Sequence, residues 1–243
     1  MIPNFLGRPR RRGGAPAADP AAPAVPMTEA QRRSLLMAVA LLIDYPEEER
    51  ITGLLDAVAE SAGELPEPAA APLRRFLAAA RELGPRGLAV HYVDTFDRRR
   101  RCTPYLSYYA TGDTRARGAA LLSFRELLAA VGLEPAAERA ELPDHLSVVC
   151  EAAAREPGTV AAGDAIAAAA LAAHRDGIEV LRHALADRGS PYAHLIEALV
   201  TALPALDEDT RRRYLDLVTA GPPAELVGTA DLPFPMIRQE NHA

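Results

Sequence analysis

Apolar residues along the chain recur at the three- and four-residue spacing of a buried helix face, with no convincing alternating run of the kind a strand needs. Thr28-Glu29-Ala30-Gln31 reads as a capping box, and Leu35, Leu36, Val39, Leu42 and Ile43 follow it on one face. Leu73, Phe76, Leu77 and Leu83 mark another helix. Pro85 can open one that runs through Tyr92 and Phe96 toward Arg101. Leu121, Phe124, Leu128 and Val131 mark the next, with Gly132 placed as its terminating glycine. Ile178, Leu181 and Leu185 continue the pattern, as do Leu195, Leu199 and Leu203, ended by Pro204. Tyr214, Leu215 and Val218 fit a last helix before Gly221-Pro222-Pro223. The pattern predicts an all-α, single-domain multi-helix bundle of about 8–11 helices over residues 27–223, without a fixed-period repeat. Residues 1–26, rich in Ala, Pro and Arg, are expected to be a disordered tail, and 224–243 a mobile C-terminal tail.

Composition supports this reading. The chain has 243 residues, long enough for a sizeable core, and its apolar content comes mostly from alanine and leucine, which favour helix. A net charge of −6 argues against nucleic acid as the partner of the whole chain. Cys102 and Cys150 form no CxxC or metal-ligand spacing and are expected as free thiols in a reducing cytosol. The longest apolar run, DAIAAAALAAH, is too short to cross a bilayer. The arginines of NFLGRPRRRGG are not followed by an apolar stretch, so they do not read as an export signal. A cytoplasmic location without stable membrane insertion is expected.

One stretch departs from this background. His91 to Gly118 holds four consecutive arginines and five of the chain's twelve aromatic residues. On a helix, Asp94 would pair with Arg98, and Asp97 with Arg101. Thr103-Pro104 should interrupt that helix and let a short new one carry Tyr105, Tyr108 and Tyr109 on a shared face. Gly112 reads as a turn and Asp113 as the N-cap of the following helix. Arg115 and Arg117 then fall in a first turn, where positive charge opposes the helix dipole. From Arg98 to Arg117, six arginines and one aspartate give a formal +5. Gathered beside the tyrosines, such a patch suits a carboxylate, a phosphate, or a peptide of apolar and acidic character. The bland alternatives are a solvated helix end for Arg98 to Arg101, core packing for the tyrosines, and pairing with distant acids for Arg115 and Arg117.

A second constellation is ELPDHLSVVCE, in which Pro143 and Asp144 are helix-opening residues and His145 follows at once. Adjacent Asp and His do not make a triad geometry. The other histidines show no HxxxH or HExxH spacing, and no GxxxxGK loop or nucleophile elbow appears. No cofactor, metal site or catalytic residue is predicted.

The ordered pair of segments, YVDTFDRRRR…YLSYYATGDTRARGAALLSF followed by ELPDHLSVVCE, resembles the nitrate reductase molybdenum-cofactor assembly chaperones of the NarJ type, also called the delta subunit. The strong resemblance covers about residues 90–155. It implies an all-helical, non-catalytic, cytoplasmic chaperone that is not part of the final enzyme. Such a chaperone would bind the apo catalytic (alpha) subunit of nitrate reductase, chiefly at its N-terminal segment, and keep it competent for molybdenum cofactor insertion. Cofactor-delivery proteins would be further partners. By motif position the client-peptide surface would draw on Tyr92, Phe96, Asp97, Arg101, Tyr105, Tyr109, Asp113, Arg115 and Arg117, with Pro143, Asp144 and His145 lining or bracing the same groove. The chain departs from the family pattern at Cys102-Thr103-Pro104, which bears on where Tyr105 sits, and at Ser147, where the family has a proline.

Two other readings compete. A chaperone of the same group could serve a dimethyl sulfoxide or trimethylamine oxide reductase precursor carrying a twin-arginine signal. A helical nucleic-acid binder using Arg98 to Arg101 would require a steep loss of affinity with salt.

Overall fold

The computed structural model describes residues 25–112, 116–130, 132–133, 141–155 and 163–203. Among these residues it is all-α: α1 (Glu29–Leu42), α2 (Ile51–Ala62), α3 (Glu67–Tyr92), α4 (Leu106–Thr111), α5 (Ala116–Ala130), α6 (Leu146–Ala154), α7 (Gly163–Ala173), α8 (Arg175–Ala186) and α9 (Tyr192–Ala202). The expected last helix around Tyr214 lies outside the described residues, as do residues 1–24 and 224–243.

Local signals in the sequence act where they stand. Gln31 N–H donates to Thr28 Oγ1 and the Gln31 side chain accepts from Thr28 N–H, the reciprocal capping box that starts α1. Gly132 adopts φ +72°, and the amides of Gly132 and Leu133 donate to the carbonyls of Ala129 and Leu128. That is the Schellman closure of a helix end by a left-handed glycine. In α3, Gly84 at φ +68° breaks the helix and Pro85 reopens it toward Tyr92. The break turns Leu83 out of the stripe, and it is exposed.

The core is built from the predicted faces. Leu35, Leu36, Val39 and Leu42 of α1 are buried, chiefly against α6, while Leu73, Phe76, Leu77 and Ala80 of α3 are buried chiefly against α9. Tyr192 of α9 is fully buried at the centre of a ring cluster. Its neighbours are Phe76 at 5.2 Å, Phe96 at 4.9 Å, Tyr92 at 6.0 Å and, stacked parallel, His91 at 6.0 Å. The last carbonyls of α9 have no partners within their own helix. Arg32 of α1 donates to that of Ala202, and Arg175 of α8 to that of Val200.

Candidate functional site

The chain between Tyr92 and Leu106 does not continue as an α-helix. Residues Val93–Asp97 form a π-helical turn and Arg100–Cys102 a 3-10 turn. Arg98 keeps its pair with Asp94 at 2.7 Å. No ion pair joins Asp97 to Arg101, because the change of helical pitch removes the four-residue register that pairing requires. Both side chains are exposed.

Pro104 holds Thr103 before it extended, at φ −65° and ψ 134°, and the chain stays extended beyond it. Tyr105 has φ −93° and ψ 115°, and His145 has φ −64° and ψ 137°. The two form an isolated antiparallel bridge. Leu106 N–H donates to Asp144 O and Leu146 N–H donates to Pro104 O, each at 2.9 Å. These amides belong to the first residues of α4 and α6, which have no partner within their own helices. Two helices forty residues apart in sequence therefore cap one another through their backbones.

Side chains complete both caps. Asp144 Oδ2 accepts from Ser107 Oγ at 2.6 Å and from Ser107 N–H at 3.3 Å, at the second residue of α4. His145 Nδ1 accepts from Ser147 N–H at 3.3 Å and lies 2.6 Å from Ser147 Oγ, at the second residue of α6. His145 is buried, and burial lowers its pKa against the opposing influence of Glu141, Asp44 and Asp144. The neutral ring, with Nδ1 accepting, carries its proton on Nε2. The close Ser147–His145 pair is thus a helix cap. The Asp144 carboxylate turns to Ser107, not to the imidazole, so no relay of three groups exists here.

Arg117 enters this joint from α5. Its guanidinium lies 5.2 Å from the centroid of the Tyr105 ring, with Nη2 3.9 Å from Asp144 Oδ2. Positive charge near the start of α5 is unfavourable by itself, and Asp144 answers it. The Tyr105 hydroxyl donates to Glu141 Oε1 at 2.9 Å, and the Tyr105 and His145 rings meet edge to face at 5.2 Å. Burial, then Glu141 and Asp144, push the Tyr105 hydroxyl pKa well up, so it remains a donor. Pro143 is half-buried beside them.

The three tyrosines expected on one face separate. Tyr105 precedes α4 and joins the bridge. Tyr109 is buried and donates its hydroxyl to Thr103 O at 2.8 Å and Arg101 O at 3.2 Å. Tyr108 stays half-buried. Tyr92 and Phe96 are also buried, in the ring cluster. Of the residues singled out by sequence, then, Tyr105, Arg117, Pro143, Asp144 and His145 come together. Tyr92, Phe96 and Tyr109 are instead buried in the core, the first two around Tyr192. Asp113 and Arg115 lie outside the described residues.

The sequence reading missed a groove beside this joint. It has a volume of about 400 Å³ and lies between the end of α1, the turn at 43–50 and α6. Met37, Leu41, Tyr45 and Leu54 give it apolar walls, and Asp44, Glu47 and Glu151 give it acid, with Arg50 as the basic residue lining it. Leu41 is 46% exposed and Tyr45 49%, so two large apolar side chains meet water side by side. Tyr45 packs edge to face on Tyr92 at 5.6 Å, and Ser147, the partner of His145, also lines the groove. The signal for it was present in LLIDYPEEER: a tyrosine just past a helix end, followed by a proline and three acids.

Among the described residues, no group of three or more His, Cys, Asp or Glu is placed to hold a metal ion. No helix among them is long and apolar enough to cross a membrane. Both cysteines are buried and free.

Comparison with known proteins agrees with the motif pair. Over 159 residues, 65% of this chain, it is 36% identical to the "Nitrate reductase-like protein NarX" in two strains of Mycobacterium tuberculosis. The chain spans only 22% of the length of those proteins. It is 29% identical over 179 residues to the "Probable nitrate reductase molybdenum cofactor assembly chaperone NarJ" of Bacillus subtilis, covering 73% of this chain and 92% of that one. The family profile described as "Nitrate reductase delta subunit" matches residues 62–198, which include α3, the π and 3-10 turns, α4, α6 and α8. The chain belongs to the nitrate reductase delta subunit family.

Proposed function

We propose that this protein is a non-catalytic cytoplasmic chaperone for the catalytic subunit of a nitrate reductase. It takes up the N-terminal segment of the apo subunit and keeps that subunit competent for molybdenum cofactor insertion. It then leaves, and is not part of the finished enzyme. Family membership supports the system, and the B. subtilis relative, by its name, is a chaperone of that assembly.

The observation that carries the mode of binding is the groove of Met37, Leu41, Tyr45 and Leu54, open to water and edged by Asp44, Glu47 and Glu151. Its chemistry suits a short amphipathic segment that lays apolar side chains on Leu41 and Tyr45 and basic ones on the acids. The joint of Tyr105, Asp144 and His145 braces one side through Ser147 and Tyr92 and holds the groove's shape. The groove's polarity differs from that of the arginine-rich stretch, whose Arg99, Arg100 and Arg101 are exposed. Arg98 is occupied by Asp94 and Arg117 is drawn to Asp144, while the open groove is acidic.

The acidic edge also favours a reading in which the client is the precursor of another molybdoenzyme with a twin-arginine signal. Calorimetric titration with the two synthetic N-terminal peptides, singly and in competition, tests both. One-to-one binding of the nitrate reductase peptide, weakened at least about tenfold in Leu41→Glu without a change in melting temperature, is the expected result. Preference for the twin-arginine peptide would transfer the protein to the second client. No binding of either peptide, and none of the apo subunit in a pull-down, would remove the chaperone reading.

A further inference from the structure

We propose that the chain's own Phe5–Arg12 segment, FLGRPRRR, docks in the groove between α1 and α6 and competes there with the client. The competition rests on the function proposed above; the docking itself does not.

The argument begins with charge. Residues 1–24 carry Arg8, Arg10, Arg11 and Arg12 against Asp19, a net +3 in a chain of −6, so the remainder carries −9. Part of that negative charge is concentrated at the groove: Asp44, Glu47 and Glu151 line it, and Glu48 and Glu49 are exposed on the same turn. Arg50 is paired with Glu47 at 3.3 Å. Apolar pattern agrees with charge. Phe5 and Leu6 stand directly before the arginines, as Leu41 and Tyr45 stand directly beside the acids.

Reach is sufficient. The described chain enters at Val25, whose amide donates to Thr201 O at 3.4 Å, close to the start of α1. The groove lies at the other end of α1, 14 residues on, or about 21 Å at the helical rise. Twelve residues separate Arg12 from Val25, and an extended chain of that length covers about 40 Å. Tethering of this kind gives an effective concentration in the millimolar range, so weak contacts suffice for occupancy. A client segment must then displace the tail, and its apparent affinity falls accordingly.

The test uses the full chain. It has no tryptophan, so Leu41→Trp places a lone tryptophan, excited selectively over the seven tyrosines, at a half-exposed position in the groove. This reporter is compared in chains with and without Arg8, Arg10, Arg11 and Arg12 all changed to Ala. With the arginines present, acrylamide quenching should be about half that of the alanine variant, and about 0.5 M salt should erase the difference. Hydrogen exchange of amides 41–50 in chains that keep Leu41 gives the same comparison without the reporter, with slower exchange expected when the arginines are present. Equal quenching together with equal exchange in the two chains overturns the proposal. A difference that grows with protein concentration overturns it too, since a second copy would then supply the arginines. Client peptide should bind the four-alanine chain roughly tenfold more tightly. If no client peptide binds while the reporter still responds to the arginines, the docking stands and the client assignment falls. If the client binds both chains alike and the reporter is silent, the reverse holds.

Discussion

The Asp144 carboxylate caps a helix to which it does not belong: its Oδ2 lies 2.6 Å from Ser107 Oγ, and Ser107 is in α4 while Asp144 precedes α6. Asp144 is fully buried, so its negative charge is balanced only by what the fold brings to it. Those groups are the two donors of Ser107, the positive end of α4 and the guanidinium of Arg117. Asp144→Ala should therefore cost about 1–3 kcal/mol of stability, and Asp144→Asn, which keeps an acceptor, less. In a double-mutant cycle with Ser107→Ala the coupling should be about 0.5–3 kcal/mol by urea unfolding. Strict additivity of the two substitutions would show that the contact contributes nothing.

His145 gives a pH dependence with a definite sign. Burial lowers its folded pKa below the unfolded 6.5, so the folded state resists protonation. Above about pH 6.5 both states are neutral and the contribution is complete. As pH falls through 6.5 toward the lower folded value, the unfolded state binds a proton first and stability is lost. His91 acts in the same direction, since burial lowers its pKa as well. Denaturation midpoints measured from pH 8 to pH 5 should decline below about 6.5, and the decline should be shallower in His145→Asn, whose amide can still cap α6. An unchanged slope in that variant would mean that His145 is not the titrating group.

Gly177 and Tyr109 set the distance between α8 and α4. A Cβ added at Gly177 would sit 2.8 Å from Tyr109 Cβ and 3.1 Å from its ring. Tyr109 cannot swing aside without giving up its hydrogen bonds to Thr103 and Arg101. Gly177→Ala should thus destabilise the protein by about 1–3 kcal/mol, despite alanine's better helix propensity. A thermal melt decides the sign: a raised melting temperature would mean that α8 shifts freely and the close approach is not constrained.

The helices were legible in the sequence because each carries its own signal within a few residues. Thr28 with Gln31, Pro85 after Gly84 and the glycine at 132 all did locally what their chemistry predicts. The new helix start after Pro104 was legible for the same reason, whereas the end of the α-helix at Tyr92, well before Arg101, was not. The bridge between Tyr105 and His145 was not, since nothing near either residue specifies its partner forty positions away. The directions of the positive charge were not legible on similar grounds. A sum over Arg98 to Arg117 counts charges but not directions, and Arg117 points to Asp144 while Arg98 returns to Asp94. The groove escaped notice because its walls come from α1, the following turn, α2 and α6, and only the one segment LLIDYPEEER marks it in one dimension.

Arg117 separates a bracing role from a contact role at the joint. Its guanidinium covers the Tyr105 ring and approaches Asp144, and its Nε and Nη2 are buried without hydrogen-bond partners. Arg117→Ala removes a cation–π contact and a partner of Asp144, for a loss of about 0.5–2 kcal/mol. Arg117→Glu places a carboxylate beside Asp144 and Glu141 and should be considerably worse. If Arg117 serves the joint, both losses shrink when Asp144 is already alanine, and the client affinity of the folded Arg117→Ala protein stays within about threefold of wild type. If it instead grips the client, stability barely moves and affinity falls tenfold or more. Melting temperature and peptide titration on the same samples distinguish these outcomes, and the buried geometry of Arg117 predicts the first.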